Sequence, residues 1–248
     1  PILTVDANGM ELYDVGEEKT WESLFRTFAK EAFPVEKGSI GIIGAAPLEI
    51  HSMDAPEEME QALKEDGWKQ VHCYSMGAGI EQLKKASSVE KNLVIAPSGL
   101  KAAQYLKKKF GTPYEVTYPL AKQILAKRLK EQGMALEDLA GKKILIMHQQ
   151  VLANSIRQEI NREAKKEISA EMQLEMTQTE CTAATWFMQK KELQEQGDIH
   201  LTEEDQYIEL VRQEQYDVII ADDILQSAVP EYQGIFVNLP HFAVSGKV

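Results

Sequence analysis

The sequence predicts an α/β protein built as two Rossmann-like domains, each a parallel sheet flanked by helices. Three observations carry this. Short runs such as Ile40-Gly41-Ile42-Ile43, Ile144-Leu145-Ile146-Met147 and Val218-Ile219-Ile220-Ala221 are apolar at nearly every position, the pattern of strands covered on both faces. Stretches of helical period alternate with them. The connections between are short and carry Gly, Pro, Ser and Asp.

Taken in order, residues 38–50 contain a buried-type strand that ends in a turn at Gly44. Asp54 is placed to N-cap a helix through about Gly67, with Pro56, Glu57 and Glu58 in its first turn, where acids complement the helix dipole. Residues 71–75 read as a strand, 80–86 as a short helix and 93–96 as a third strand. Ser98 is placed to cap a helix over 99–110 that Gly111 stops. A short strand over 114–118 and a helix over 120–132, ended by Gly133, complete the first domain. The second domain opens with a strand over 142–148 and a helix over 152–163. Residues 167–177 alternate as a half-buried strand does, through Ile168, Ala170, Met172, Leu174 and Met176. A helix over 203–214 precedes strands over 218–221 and 235–239. Residues 180–200 are the least periodic and read as an insertion or mobile loop. The expected domains are 38–133 and 141–248, with 1–37 a lead-in from a preceding domain.

Composition narrows function. The 248 residues allow one or two domains with a real core. With 27 Lys+Arg against 39 Asp+Glu the net charge is −12, which opposes docking to nucleic acid or anionic lipid. Two cysteines, Cys73 and Cys181, make no disulfide framework, so a reducing cytoplasm is expected. No apolar run approaches the ~18 residues of a membrane span. The start, Pro1-Ile2-Leu3-Thr4-Val5, has no signal-peptide character and begins inside a strand, as an excised piece of a longer protein would.

In open parallel sheets ligands bind at the carboxyl ends of strands. Those ends are the segments at Gly44, Ser75, Ser98, His148, Asp222 and His241. Gly41-Ile42-Ile43-Gly44 lacks the third glycine of the dinucleotide fingerprint, and neither a phosphate-binding Walker loop nor a Gly-x-Ser-x-Gly elbow occurs. Asp222-Asp223 is either a paired-carboxylate acid/base site or the N-cap of the next turn of chain. None of the five histidines has helical i, i+4 spacing to another, so no zinc-type site is indicated. His148 and His241 stand at strand ends, as functional or as satisfied structural residues. Cys73 reads as buried and inert, and Cys181 falls in the irregular segment. The Lys107-Lys108-Lys109 run suits a helix C-terminus.

The order of segments resembles the nitrogenase component 1 superfamily of oxidoreductases. The stretch from Lys91-Asn92-Leu93-Val94 through Tyr105-Leu106 to Lys109-Phe110-Gly111-Thr112-Pro113 is similar to that family's "NLV, helix, KxGxP" block. Ile40-Gly41-Ile42-Ile43-Gly44 resembles its "N-I-I-G" strand, and Pro1-Ile2-Leu3-Thr4-Val5 with Gly9-Met10 the strand leading out of its first domain. Gly141-Lys142-Lys143-Ile144, Tyr216-Asp217-Val218-Ile219-Ile220 and Gly234-Ile235-Phe236-Val237 resemble strands of its last domain.

The resemblance implies a three-domain parent of which this chain holds the second and third. It implies an iron–sulfur cluster in the parent, ligated by cysteines outside this chain. It also implies a homologous partner subunit and an ATP-hydrolysing iron–sulfur reductase (component 2) as electron donor. Dinitrogen-reducing subunits hold their cofactor through a cysteine at the end of the "NLV" strand; here that position is Ala96, so the implied substrate is not dinitrogen. Gly44, Ser98, His148, Asp222 and His241 are the residues expected to line a substrate or metallocofactor, with no metal ligands and no catalytic residue assigned. By this reading the isolated chain is inactive. The alternatives are a non-redox binding or scaffold protein of the same fold and, more remotely, a nucleotide-sugar transferase.

Overall fold

The computed structural model describes residues 3–7, 12–167 and 179–246. It divides into two compact units, Pro1–Leu120 and Ala121–Val248.

The first unit contains α1 (Tyr13–Phe28), β1 (Glu36–Ile43), α2 (Ala55–Glu65), β2 (Gln70–Cys73), α3 (Ile80–Lys84), β3 (Val89–Val94), α4 (Leu100–Phe110) and β4 (Tyr114–Val116). Its strands form a sheet in the order β2-β1-β3-β4, every pair parallel. Ile40, Ile42, Ile43 and Val94 are buried at the centre, as continuous apolar strands between helical layers must be. Gly41 has a packing reason rather than a phosphate-binding one: a Cβ there would strike the Asn92 side chain and the Tyr74 ring. Helix α1 was not legible in the segment read as a lead-in. It buries Trp21 and Phe25, and Phe25 meets Tyr74 edge-on at 5.2 Å between centroids.

The second unit contains α5 (Ala121–Glu131), β5 (Lys143–Met147), α6 (Gln150–Glu167), β6 (Glu180–Thr185), β7 (Ile199–His200), α7 (Glu204–Glu214), β8 (Val218–Ala221), β9 (Ile235–Asn238) and α8 (Phe242–Ser245). The sheet order is β7-β6-β5-β8-β9, again parallel throughout. Helix α5 packs on α6 and β9. Leu145, Met147, Tyr207, Val211, Ile219 and Phe236 belong to one apolar cluster.

Three readings are corrected. Residues 180–200 are not a loop throughout: β6 pairs with β5 in register from Lys143↔Glu180 to Met147↔Ala184, β7 continues the sheet, and only the stretch between them is irregular. The β6 sequence, Glu-Cys-Thr-Ala-Ala-Thr, uses small residues, so no apolar run marks it, and Cys181 is a strand residue. Asp54 occupies the N-cap position of α2 without a side-chain bond to the helix. Ser98 does not cap α4: a 3-10 turn over Pro97–Gly99 comes first, Gly99 is the N-cap, and the Ser98 hydroxyl bonds no helix N–H. The alternating strand expected over 167–177 lies outside the described residues apart from Glu167, the last residue of α6. No helix among the described residues is long and apolar enough to cross a membrane.

Candidate functional site

A parallel sheet opens a crevice where its strand order reverses. In the first sheet the reversal lies between β1 and β3, and in the second between β5 and β8. The five residues expected at a site distribute over these two places. Gly44 and Ser98 follow β1 and β3; His148 and Asp222 follow β5 and β8, with His241 after the neighbouring β9.

In the second unit the expected residues meet. The imidazoles of His148 and His241 stack, with centroids 4.0 Å apart and planes 17° from parallel. The Gln149 N–H donates to His148 Nδ1 at 2.8 Å, so the ring proton sits on Nε2 and points to the Pro240 carbonyl at 3.1 Å. His148 is thereby held as one neutral tautomer. Asp222 is buried and accepts three bonds: Ile224 N–H on Oδ1 (3.1 Å), and His241 N–H (2.8 Å) and Ser245 Oγ–H (2.7 Å) on Oδ2. It caps the 3-10 turn over Asp223–Ala228 and fixes the backbone that carries His241. Asp223 is exposed, so the two acids occupy different environments and do not act as a pair. The cap reading of Asp222-Asp223 therefore holds.

Beside this cluster lies a cavity of about 720 Å³. Its walls come from strand-end segments: Trp186 and Phe187 after β6, Thr202 after β7, Leu225 after β8 and Ala243 after β9, with Tyr207 from α7. The size suits a small organic ligand. Phe187 meets His241 edge-on at 5.2 Å, which links the cavity to the histidine stack. Trp186 donates from Nε1 to the Glu203 carbonyl at 3.2 Å and crosses Tyr207 at 5.9 Å. Glu203, Glu204 and Asp205 make one rim acidic. Sequence reasoning missed Trp186 and Phe187 because β6 was unread; two adjacent aromatics in a polar stretch were the available signal.

In the first unit Gly44 holds φ +96°, and a Cβ on it would lie 3.1 Å from the Ala96 nitrogen. The β1 and β3 ends are thus in close contact at this switch point. Ala96 is wholly buried, as is Ser98. The segment after Gly44 carries Glu49, fully buried, against Glu17 of α1 and Ser98. Burial holds the Glu49 carboxyl well above the usual carboxylate range, and burial also pushes Glu17 up to about 7. His51 is satisfied structurally, by the Tyr118 hydroxyl at 3.0 Å and Glu58 at 3.1 Å.

The thiols do not suit a metallocentre. Cys73 and Cys181 lie in different units, and burial pushes both thiols up, Cys181 to about 12. No group of three or more His, Cys, Asp or Glu among the described residues is arranged to hold a metal. The described residues therefore do not fit an iron–sulfur cluster, which needs a set of thiolates.

Residues 1–191 match the family model for "Nitrogenase component 1 type Oxidoreductase". Among curated proteins, the chain is 28% identical over 138 residues to a light-independent protochlorophyllide reductase subunit of Pinus thunbergii, covering 52% of this chain and 27% of that protein. It is 37% identical over 79 residues to the same-named subunit of Nostoc punctiforme, covering 32% of this chain and 16% of that one. The solved structure titled "Nitrogenase Cp1 at pH 5" superposes with a TM-score of 0.60 at 12% identity, over 95% of this chain and 58% of that chain. A second, "Nitrogenase Cp1 at pH 6.5", gives 0.57 at 13% identity, over 91% and 57%. The matches span about a quarter or less of the curated relatives and somewhat over half of the solved chains. With the family model covering most of its length, and two parallel sheets of the same architecture, this chain belongs to the nitrogenase component 1 type oxidoreductases.

Proposed function

We propose that this chain is part of a nitrogenase-like oxidoreductase that reduces a substrate other than dinitrogen. An ATP-dependent iron–sulfur reductase of component 2 type supplies the electrons, and a homologous subunit completes the assembly. An iron–sulfur cluster in the parent protein receives the electrons, on thiolates outside the described residues. The observation that carries the reading is Ala96. By the resemblance it stands where the dinitrogen-reducing subunits hold their cofactor by a cysteine, and it is wholly buried against Gly44. Alanine offers no ligand atom. The similarity to light-independent protochlorophyllide reductase subunits favours an organic acceptor.

In this reading the strand-end residues form walls. His148, Asp222 and His241 stand beside the aromatic cavity of the second unit, and Gly44 and Ser98 line the turn of the first. They orient what is bound and keep water out, and no step of the reaction is assigned to them. Free cysteines support a cytoplasmic location.

The test is iron and acid-labile sulfide in the full-length protein that contains this chain, purified without oxygen. Stoichiometric iron, on the order of two to four per subunit, together with ATP-dependent electron uptake from a component 2-type reductase, is the expected result. Iron at background would end the redox reading. It would leave a binding or scaffold protein that uses the same loops.

A further inference from the structure

Helix α1 carries Asp14, Glu17 and Glu18 in its first turns. Glu18 is answered by Lys101 at 2.7 Å. Glu17 is not answered, and the segment after β1 brings Glu49 against it. Glu49 is fully buried, and among the described residues only the Glu17 carboxyl and the Ser98 hydroxyl face its oxygens, neither in well-aligned hydrogen-bond geometry. Oε2 of Glu17 and the wholly buried hydroxyl of Ser98, which faces both carboxyls, likewise make no well-aligned hydrogen bond among the described residues. The groups around the pair are Tyr13, Asp14 and Glu17 from α1, Ser98 from the turn after β3, and Tyr118 from the segment before α5. None of these is a cation.

A buried carboxylate with no counter-charge, and only the Ser98 hydroxyl to donate to it, costs far more than a neutral acid. Two such groups side by side cannot both ionise. The arrangement is graded as well. Glu49 is sealed, while Glu17 is half-buried, its Oε2 inside. The pair lies beside the switch point of the first sheet: Glu49 follows Gly44 in the chain, and Ser98, two residues after Ala96, faces both carboxyls.

We propose that Glu17 and Glu49 hold one transferable proton at this switch point and donate it to a substrate reduced there. The donor role rests on the proposed reductase function; the held proton does not. In the step, the substrate atom that has gained electrons from the ATP-dependent iron–sulfur reductase takes the proton as the Glu49 O–H bond breaks. Glu49 is left as a carboxylate. As Glu49 gives up its proton, Glu17, the ionised member of the pair, takes one from water and relays it inward, so the pair again holds one proton and each turn draws one from solvent. Burial, which raises both carboxyls, acts in the direction this requires.

The held proton is tested on this chain by infrared titration with isotope-labelled glutamate. One carboxylic acid band persisting at pH 7 is expected. Glu49→Gln should abolish that band or lower the Glu17 midpoint by about one unit or more, because the two titrate as a pair. Full ionisation of both carboxyls by about pH 5.5, one unit above the ordinary glutamate range, would overturn the proposal and point instead to a captured cation. Should Glu49→Gln not fold, Glu17→Gln serves: the remaining acid band should stay with an altered midpoint, and an unchanged spectrum would count against the pair. The donor role is tested in the full-length protein supplied with the reductase. Glu49→Gln should slow substrate reduction about 10²–10⁴-fold, the usual worth of a general acid, while electron uptake is kept. Unchanged reduction would overturn the donor role; absent electron uptake in the unmutated protein would instead overturn the reductase reading.

Discussion

The rings of His148 and His241 lie face to face, 4.0 Å between centroids, although 92 residues separate the first from its Pro240 acceptor beside the second. The stack ties the end of β5 to the end of β9, across the β8 terminus where Asp222 sits. Asp222 accepts three bonds there, two of them from the backbone. Asp222→Ala is expected to cost about 2–4 kcal/mol, a lost cap plus buried donors left unpaired. His241→Ala should cost less, about 1–3 kcal/mol, since ring packing is lost but the backbone stays bonded. Urea unfolding of the two variants checks the order.

Gly44 is required twice over, by its positive φ and by its approach to Ala96. Gly44→Ala should destabilise the chain by about 1–3 kcal/mol. A thermal melt reads this directly, and an unchanged midpoint would refute the contact between the two strand ends.

Arg157 and Asp198 form a buried ion pair that Asn154 and the Ala183 N–H extend, joining α6 to β6 and the segment before β7. Arg157→Ala should cost about 3–5 kcal/mol, because it strands a buried charge. Arg157→Lys should recover only part of that, since a point charge cannot reproduce the fork. Calorimetry on both variants distinguishes them.

Burial lifts the Cys181 thiol to about 12, so at pH 8 its thiolate fraction falls roughly a thousandfold below that of an ordinary cysteine. Iodoacetamide should leave it unmodified in the folded chain and label it on unfolding in urea. Cys73, raised in the same direction, should behave alike.

Glu17 gives a pH dependence with a definite sign. Its folded value of about 7 exceeds the 4.5 of a free glutamate, so the folded chain holds a proton that the unfolded chain has released. The stability this contributes is complete below about pH 4.5 and is lost as pH rises through about 7. Glu17→Gln should flatten that stretch of the stability curve. A curve that instead rises with pH across the same interval in the unmutated chain, and is unaltered by the substitution, would refute the assignment.

The parallel strands were legible where bulky aliphatics cluster, as in Ile40–Ile43 and Val218–Ala221, because burial on both faces demands them. Strand β6 was not, since Ala183 and Ala184 reach the core without an apolar run to announce it. Helix α1 hid for a related reason: its buried face mixes Trp21 and Phe25 with Asp14 and Glu18, so the helical period is interrupted by acids. The strand-end rule located Gly44, Ser98, His148 and Asp222 at switch points and His241 one strand away, which is topology. Glu49 carried no signal, because its burial depends on α1 and the Ser98 turn folding over it.

The outermost strands bear on how this chain meets others. At one edge β7 has two residues, and at another β4 has three. So short a row of unpaired peptide groups offers little template for another strand to add on, and that protects these two edges from edge-to-edge aggregation. Strand addition is therefore disfavoured at the β4 and β7 edges, and the longer edges, β2 and β9, carry four residues each.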